Sequence, residues 1–553
     1  MRVMKPNKKY LLYIFLPLLA LISNCTKLEE DLGSTLTNEQ TANALGASGT
    51  QLLLQAAYGD IADPFSGDVG KVYNLTGNSS DESLVPTRGG DWDDNGAWRV
   101  VHNHTWNANL SALLITFNAL NKLNFDASNV LAFTPTKVQA AEARFLRALA
   151  LYQLLDLFGQ YPFRNPGDNL LNAPEVKTGA AAIDFIITEL NTVLPDLPAA
   201  NPNMNYRANP DAARALLMRC LLNKGAFVNR AAPTFSDADM QQVITLGNAI
   251  ITSTRYAFTP NYFDNFSVDN GTKSKEGIFA YQNTSGVAAN SSGPHARWYS
   301  TLHYNMYTPK NPNAGWNGFS TIAEFYNAFG VNTPVTQTPA DTLLDLRIGG
   351  RYYAGATNVS GLRPGFLIGQ QYNETGAPLK DRKGNNLAFT PTVSTNMIET
   401  GNNLEITGIR VIKYVPDYSD NGKYYDANPG NDVMMIRYAD VVLMVAEAMM
   451  RKATPDNAGA LVLINQLRTA RGAATVATMP LVNTANVSDP KTLLAERGRE
   501  LYWECVRRTD LIRFGMFLKP WAYKPTDDPK NLVYPIPQQA LAANPNLIQN
   551  GGY

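Results

Sequence analysis

Between Lys137 and Phe158 the residues Ala140, Ala143, Phe145, Leu146, Leu149, Tyr152, Leu155 and Phe158 recur at three- and four-residue steps. Only an α-helix gathers such positions onto one face. Thr136, just after Pro135, is placed to cap the first turn, and Gly159 to end the last one. The same spacing predicts helices over 50–60, 110–123, 181–193, 210–229 and 237–253. Small residues such as Ala143, Ala148, Ala212 and Ala215 let neighbouring helices approach closely. Paired antiparallel helices of this kind resemble tetratricopeptide hairpins, although no strict 34-residue period is visible.

The pattern then stops. From 255 to 430 Gly, Pro, Asn, Ser and Tyr dominate, as in Asn311-Pro312-Asn313-Ala314-Gly315. The aromatics in this stretch, among them Trp298, Tyr299, Tyr304, Trp316, Phe319, Phe325 and Tyr326, argue for an ordered, loop-rich subdomain with short strands. Long ordered loops commonly carry function. Helical spacing returns over 433–452, 455–471 and 493–517, before a Pro-punctuated tail. The expected fold is therefore mostly α: an N-terminal helical part (41–254), a loop-rich ligand-binding part (255–430) and a C-terminal helical part (431–553) packing on the same fold. The chain is 45% hydrophobic and 17% charged, which excludes a disordered or fibrous protein. Its 47 basic residues balance 47 acidic ones, which argues against nucleic-acid binding.

The N-terminus reads as an address. Arg2, Lys5, Lys8 and Lys9 precede a short apolar run over 11–22, which is too short to span a bilayer comfortably, where about 20 residues are needed. Leu-Ile-Ser-Asn-Cys at 21–25 resembles a lipoprotein lipobox, with Cys25 as the lipidated residue, although Asn24 replaces the usual small residue before it. Residues 1–24 would then be a signal peptide and 25–40 a linker, whose acidic Glu29-Glu30-Asp31 resembles a surface-export signal of Bacteroidetes lipoproteins. The other cysteines, Cys220 and Cys505, fall in apolar helical stretches and read as packed thiols.

Four stretches together are similar to one family. They are Ser80-Asp81-Glu82 through His102-Asn103-His104-Thr105-Trp106; Glu142-Ala143-Arg144-Phe145-Leu146-Arg147-Ala148; Gly315-Trp316-Asn317-Gly318-Phe319; and Ile436-Arg437-Tyr438-Ala439-Asp440 with Glu496-Arg497, Glu500-Leu501 and Asp510-Leu511-Ile512-Arg513. In that order, behind a lipobox, they resemble the SusD/RagB-type outer-membrane glycan-binding lipoproteins. One departure is Cys505, where the family often carries Gly. The resemblance implies a lipid-anchored, surface-exposed, non-catalytic protein. It would capture oligosaccharides for nutrient uptake and deliver them to a TonB-dependent, SusC-like transporter, with no cofactor and no metal.

Sugar rings present apolar C–H faces that stack on indoles, while their hydroxyls need polar partners. Trp92 and Trp98 lie in a Gly/Asp/Asn loop beside Arg88, Asp91 and Asn95, and Trp298, Tyr299 and Trp316 lie in the second loop region. These eight residues are the candidate ligand site. Two loops meeting as a stacking platform is one reading of them; aromatics that each close a local core is the other. Asp91-Trp92-Asp93-Asp94-Asn95-Gly96 matches the first half of a calcium loop, but its twelfth position is His102 in place of the required Glu. His102, His104, His295 and His303 lack ligand spacing and read as structural. The charged run from Glu496 to Arg513 reads as internal ion pairs. A helical-repeat lipoprotein binding a peptide or protein, and a lipid-anchored glycosidase with converging carboxylates, are the alternatives.

Overall fold

The computed structural model describes residues 38–67, 69–285, 296–306, 315–330, 345–349, 363–373, 376–416 and 429–553. Cys25, the leader and His295 lie outside them. Numbering helices of six or more residues, α1 is Asn38–Gly59, α2 Ala97–His102, α3 Ser111–Leu131, α4 Lys137–Phe158, α5 Gly179–Val193, α6 Pro210–Val228 and α7 Asp237–Ile251. After the loops come α8 Tyr438–Arg451, α9 Asn457–Ala470, α10 Leu493–Leu501, α11 Arg507–Arg513 and α12 Gln538–Ala543.

α4 begins and ends where its caps predict. Thr136 accepts from the Gln139 backbone and Gln139 reciprocates in a capping box, while Gly159 takes the left-handed conformation at φ 71°. Consecutive helices α3 to α7 pack as neighbours, and α8 packs on α7 and α9, so the C-terminal helices join the same buried core. Two expectations are corrected. The stretch 433–437 is a strand, β10, with α8 starting only at Tyr438. The predicted helix over 493–517 breaks at 502–506, where Trp503 and Cys505 adopt φ of 58° and 65°. Cys505 is therefore a turn residue. Its left-handed backbone is the conformation that Gly adopts most easily.

The strands form two-stranded ladders. β1 (Thr87–Arg88) runs parallel to β8 (Ile398–Glu399), and β4 (Gly277–Tyr281) pairs antiparallel with β10 (Val433–Arg437). β2 (Gln160–Phe163) pairs with β3 (Glu175–Thr178), β5 (Gly365–Leu367) with β9 (Arg410–Ile412), and β6 (Gly369–Gln370) with β7 (Ala388–Phe389). The β1–β8 ladder is the one that matters for the site, because it ties the N-terminal loop after Thr87 to the loop-rich part.

The charged run lies inside. Arg437 donates to Glu276 at 2.7 Å and to Glu500 at 3.1 Å; Arg471 reaches the same two carboxylates at 2.6 and 2.8 Å. Arg347 adds Glu496 at 2.8 Å. Ion pairs buried this completely hold only because each carboxylate meets several guanidinium donors. His102 and His104 are also buried and fully bonded, as expected of structural histidines. His102 faces the carbonyls of Asn78, Ser83 and Ala522, and His104 the Asp527 carboxylate and the Ser79 carbonyl.

Candidate functional site

The loop after β1 folds on left-handed backbone. Gly89, Trp92, Asp94, Asn95 and Gly96 have φ of 72°, 59°, 39°, 55° and 80°. For a side chain as large as tryptophan that conformation is strained and persists only when the surroundings enforce it. Three contacts enforce it. The Trp92 indole N–H donates to the Trp316 carbonyl at 2.6 Å. Its ring meets Phe319 edge-on with centroids 5.6 Å apart. It also lies flat against Gly318, where a Cβ would fall 2.5 Å from Cζ2 and 2.7 Å from Nε1. Gly318 is therefore the only size of residue that lets this indole seat.

Residues 315–321 are held just as firmly. Trp316, Asn317 and Phe319 donate backbone N–H groups to the carbonyls of Tyr299, Leu302 and Ser300 at 2.6, 2.8 and 2.8 Å. Leu84 and Ser320 exchange backbone hydrogen bonds, each 2.9 Å, so the two loops share a seam. The result is a cluster of three half-buried indoles. Trp92 contacts Trp98 edge-on at 5.1 Å and Trp316 at 6.4 Å, and Trp98 donates its N–H to Asp94 at 2.6 Å.

The eight candidate residues divide. Trp92, Trp98 and Trp316 are brought together with part of each ring open, and Asp91 and Asn95 are exposed beside them. Trp298 and Tyr299 are not part of that surface. They are 3% and 6% exposed, and Tyr299 stacks beneath Trp316 at 6.0 Å as its support. Arg88 is also corrected: it is 3% exposed and points inward. Its guanidinium donates to the Thr407 carbonyl at 2.8 Å, to Thr407 Oγ1 at 3.0 Å and to Ser320 Oγ at 3.2 Å. Arg410 reaches the same seam, donating to the Gly318 carbonyl at 3.2 Å and Ser320 Oγ at 3.1 Å. Burial holds the Arg88 pKa down to about 10. Short loops around a polar cluster carry many carbonyls, and these two arginines satisfy them.

Four residues missing from the sequence-based set complete the rim. Asp91 accepts from the Tyr304 hydroxyl. The Arg382 guanidinium carbon sits 3.8 Å above the Tyr304 ring centroid, a cation–π contact. Arg382 Nε donates to Glu405 Oε1 at 2.7 Å. Glu405 Oε2 in turn meets His303 Nε2 at 2.8 Å. The Asn305 backbone donates to His303 Nδ1 at 3.0 Å, so Nδ1 is the acceptor and Nε2 carries the proton. Burial pushes the His303 pKa down to about 4, against the opposing pull of Glu405, which leaves the ring neutral at pH 7. Burial, with the Asp91 bond adding to it, pushes Tyr304 up to about 12. Tyr304 was visible in the sequence only as one aromatic among many. Arg382 and Glu405 gave no signal, because Arg382 acts on Tyr304 in a distant segment and Glu405 on His303, 102 residues away in the chain.

The arrangement offers apolar ring faces bordered by a carboxylate, a guanidinium whose side chain is 51% exposed, and amide-bearing Asn95. That combination suits stacking with lateral hydrogen bonds. No group of three or more His, Cys, Asp or Glu able to hold a metal ion occurs among the described residues.

The sequence profile of the SusD family matches residues 251–553, more than half of the chain. The chain belongs to the SusD family. It is 25% identical over 455 residues to the starch-binding protein SusD of Bacteroides thetaiotaomicron, covering 78% of this chain and 76% of that one. Among solved structures it is similar to surface glycan-binding protein A of B. thetaiotaomicron in complex with laminarihexaose, at TM-score 0.65 and 17% identity. That superposition covers 91% of this chain and 99% of that one. A SusD-like protein of Bacteroides fragilis superposes at TM-score 0.66 and 19% identity, covering 92% and 97%. These SusD-family likenesses establish the mostly helical fold. No helix among the described residues is long and apolar enough to cross a membrane.

Proposed function

We propose that this SusD-family protein captures an oligosaccharide on the shelf formed by Trp92, Trp98 and Trp316 and passes it, uncleaved, to a TonB-dependent transporter of the SusC type. The observation that carries the reading is the trio of half-open indoles, with Trp92 held on left-handed backbone, and Asp91, Asn95 and Arg382 placed to take hydroxyls. Relatives described as starch-binding and as bound to laminarihexaose support the ligand class. The lipobox at Cys25 supports tethering to the outer membrane. A tethered receptor tolerates modest single-site affinity, because a long glycan engages receptor and transporter together.

A glycan array probed with the soluble chain from residue 26, followed by calorimetry on the hits, tests the capture. Trp98→Ala and Trp316→Ala each remove a stacking face and should weaken binding about tenfold, or ~1.4 kcal/mol, while the protein stays folded. Wild-type affinity in both variants would remove the shelf from the account. Co-purification of the full-length protein with an outer-membrane barrel, lost when Cys25→Ala releases it from the membrane, tests delivery.

A further inference from the structure

We propose that a cavity between α4, α6 and the 502–506 turn, remote in sequence from the shelf, binds a small monovalent anion such as chloride or a short carboxylate. The cavity has two lobes of about 50 and 30 Å³ that share Tyr152, Gln153, Arg219, Cys505 and Val506. Roughly 10–15 Å³ suffices for one water, so either lobe has room for a small ion.

The lining has hydrogen-bond capacity that the protein leaves unused. Gln153 is only 8% exposed, yet its carboxamide makes no hydrogen bond among the described residues. Arg497 directs Nε to Asp510 at 2.8 Å and Nη2 to Asp440 at 3.0 Å, while its buried Nη1 has no acceptor. Arg219 gives Nε and Nη2 to Asp440 and Nη2 also to the Met435 carbonyl, leaving Nη1 without an acceptor among the described residues. The Tyr152 hydroxyl accepts from Asn223 at 3.3 Å, and its own proton finds no acceptor there. Gln153 Oε1 is one free acceptor against its own amide N–H groups, the two Nη1 groups and the Tyr152 hydroxyl, so donors exceed acceptors and an accepting occupant fits best.

Charge points the same way. Around the smaller lobe the three arginines of its lining, Arg219, Arg497 and Arg513, are matched by three carboxylates, Asp440, Glu447 and Asp510. The unmatched charge lies in the larger lobe: Arg297 donates to the Phe65 carbonyl at 2.6 Å and meets no carboxylate within ion-pair distance among the described residues, and an uncompensated buried ion is costly. Glu504 borders this lobe, but its carboxylate is taken by Arg437 and Lys413. Water would satisfy the donors and leave the charge unmatched; a monovalent anion does both. An occupant here would join α4, α6 and α8 to α10 and α11 at the point where the C-terminal helices meet the N-terminal ones.

The test uses the soluble chain dialysed into sodium gluconate, whose anion is too large for either lobe. It is then titrated at constant ionic strength with sodium chloride, sodium bromide or sodium acetate. The expected result is a saturable rise of the melting temperature with at least one small anion, with the halide and acetate arms showing which chemistry the lobe prefers. Gln153→Leu should shift half-saturation tenfold or more without changing the far-ultraviolet circular dichroism. Crystals soaked in bromide should show an anomalous peak beside Gln153 and the Arg219 guanidinium. An identical response to gluconate and the small anions would overturn the proposal, as would water alone in the cavity at the bromide edge.

Discussion

Gly318→Ala probes the shelf without touching any group that would contact ligand. The new Cβ would stand 2.5 Å from Cζ2 of Trp92, whereas ordinary contact begins at 3.4 Å. The indole must therefore withdraw by at least about 0.9 Å, because its Cε2 lies closer to the new Cβ than Cζ2 does. It cannot do so and keep its 2.6 Å hydrogen bond to the Trp316 carbonyl. Overpacking of this kind costs about 1–3 kcal/mol, and the weakened hydrogen bond about 0.5–1.5 kcal/mol. The strain is relieved by tilting Trp92, which carries the edges of Trp98 and Trp316 with it. Glycan affinity measured by calorimetry should therefore fall about tenfold or more, with a melting temperature only a few degrees lower. Gly90→Ala is the matched control: no atom lies within 4 Å of its built Cβ, and it sits in the same loop, so its affinity should stay within about twofold of wild type. If Gly318→Ala binds as tightly as wild type while a crystal structure shows Trp92 displaced, indole placement does not set affinity and the reasoning fails.

Three further outcomes follow from the buried charges. Glu447 and Glu500 are each held down to about 2: burial opposes ionisation, but Arg513 with Arg451, and Arg471 with Arg437, outweigh it. A carboxylate depressed in the folded state contributes stability that is present above its ordinary pKa of 4.5 and lost as pH falls towards 2. Circular dichroism should therefore record acid unfolding inside that window, and a protein still native at pH 2 would contradict it. Arg437→Met leaves Glu276, Glu500 and Glu504 short of a buried partner and should cost about 3–5 kcal/mol in denaturant titration; a loss under about 1 kcal/mol would show that the network carries little weight. Because His303 stays neutral down to about pH 4, glycan affinity should be flat between about pH 5 and 8. A titration step near pH 6.5 in the wild type that disappears in His303→Gln would show that the ring charges in the native rim.

Some of this was legible from the chain. α4 was read to the residue, because its ends rest on Thr136, Gln139 and Gly159, whose chemistry acts within one turn. The helix predicted over 493–517 was read too long, because the charged spacing continues through 502–506 while the backbone there is set by Glu82, which accepts from the Trp503 backbone 421 residues away. The site was half legible. Tryptophans in polar loops marked the region, but an indole in a loop serves equally as a binding face or as a plug, and only packing separates the two.

The sequence by itself determined the helical scaffold, the family and the loops in which the aromatics lie, since spacing, caps and short motifs act over a few residues. Tertiary structure decided which rings stay open. Trp298 and Tyr299 were covered, Arg88 was turned inward to hold carbonyls, and Tyr304, Arg382 and Glu405 were drawn to the rim from distant segments. The physical reason is that burial and hydrogen-bond satisfaction are properties of the whole assembled surface, and no local pattern encodes which face of a loop the rest of the chain will cover.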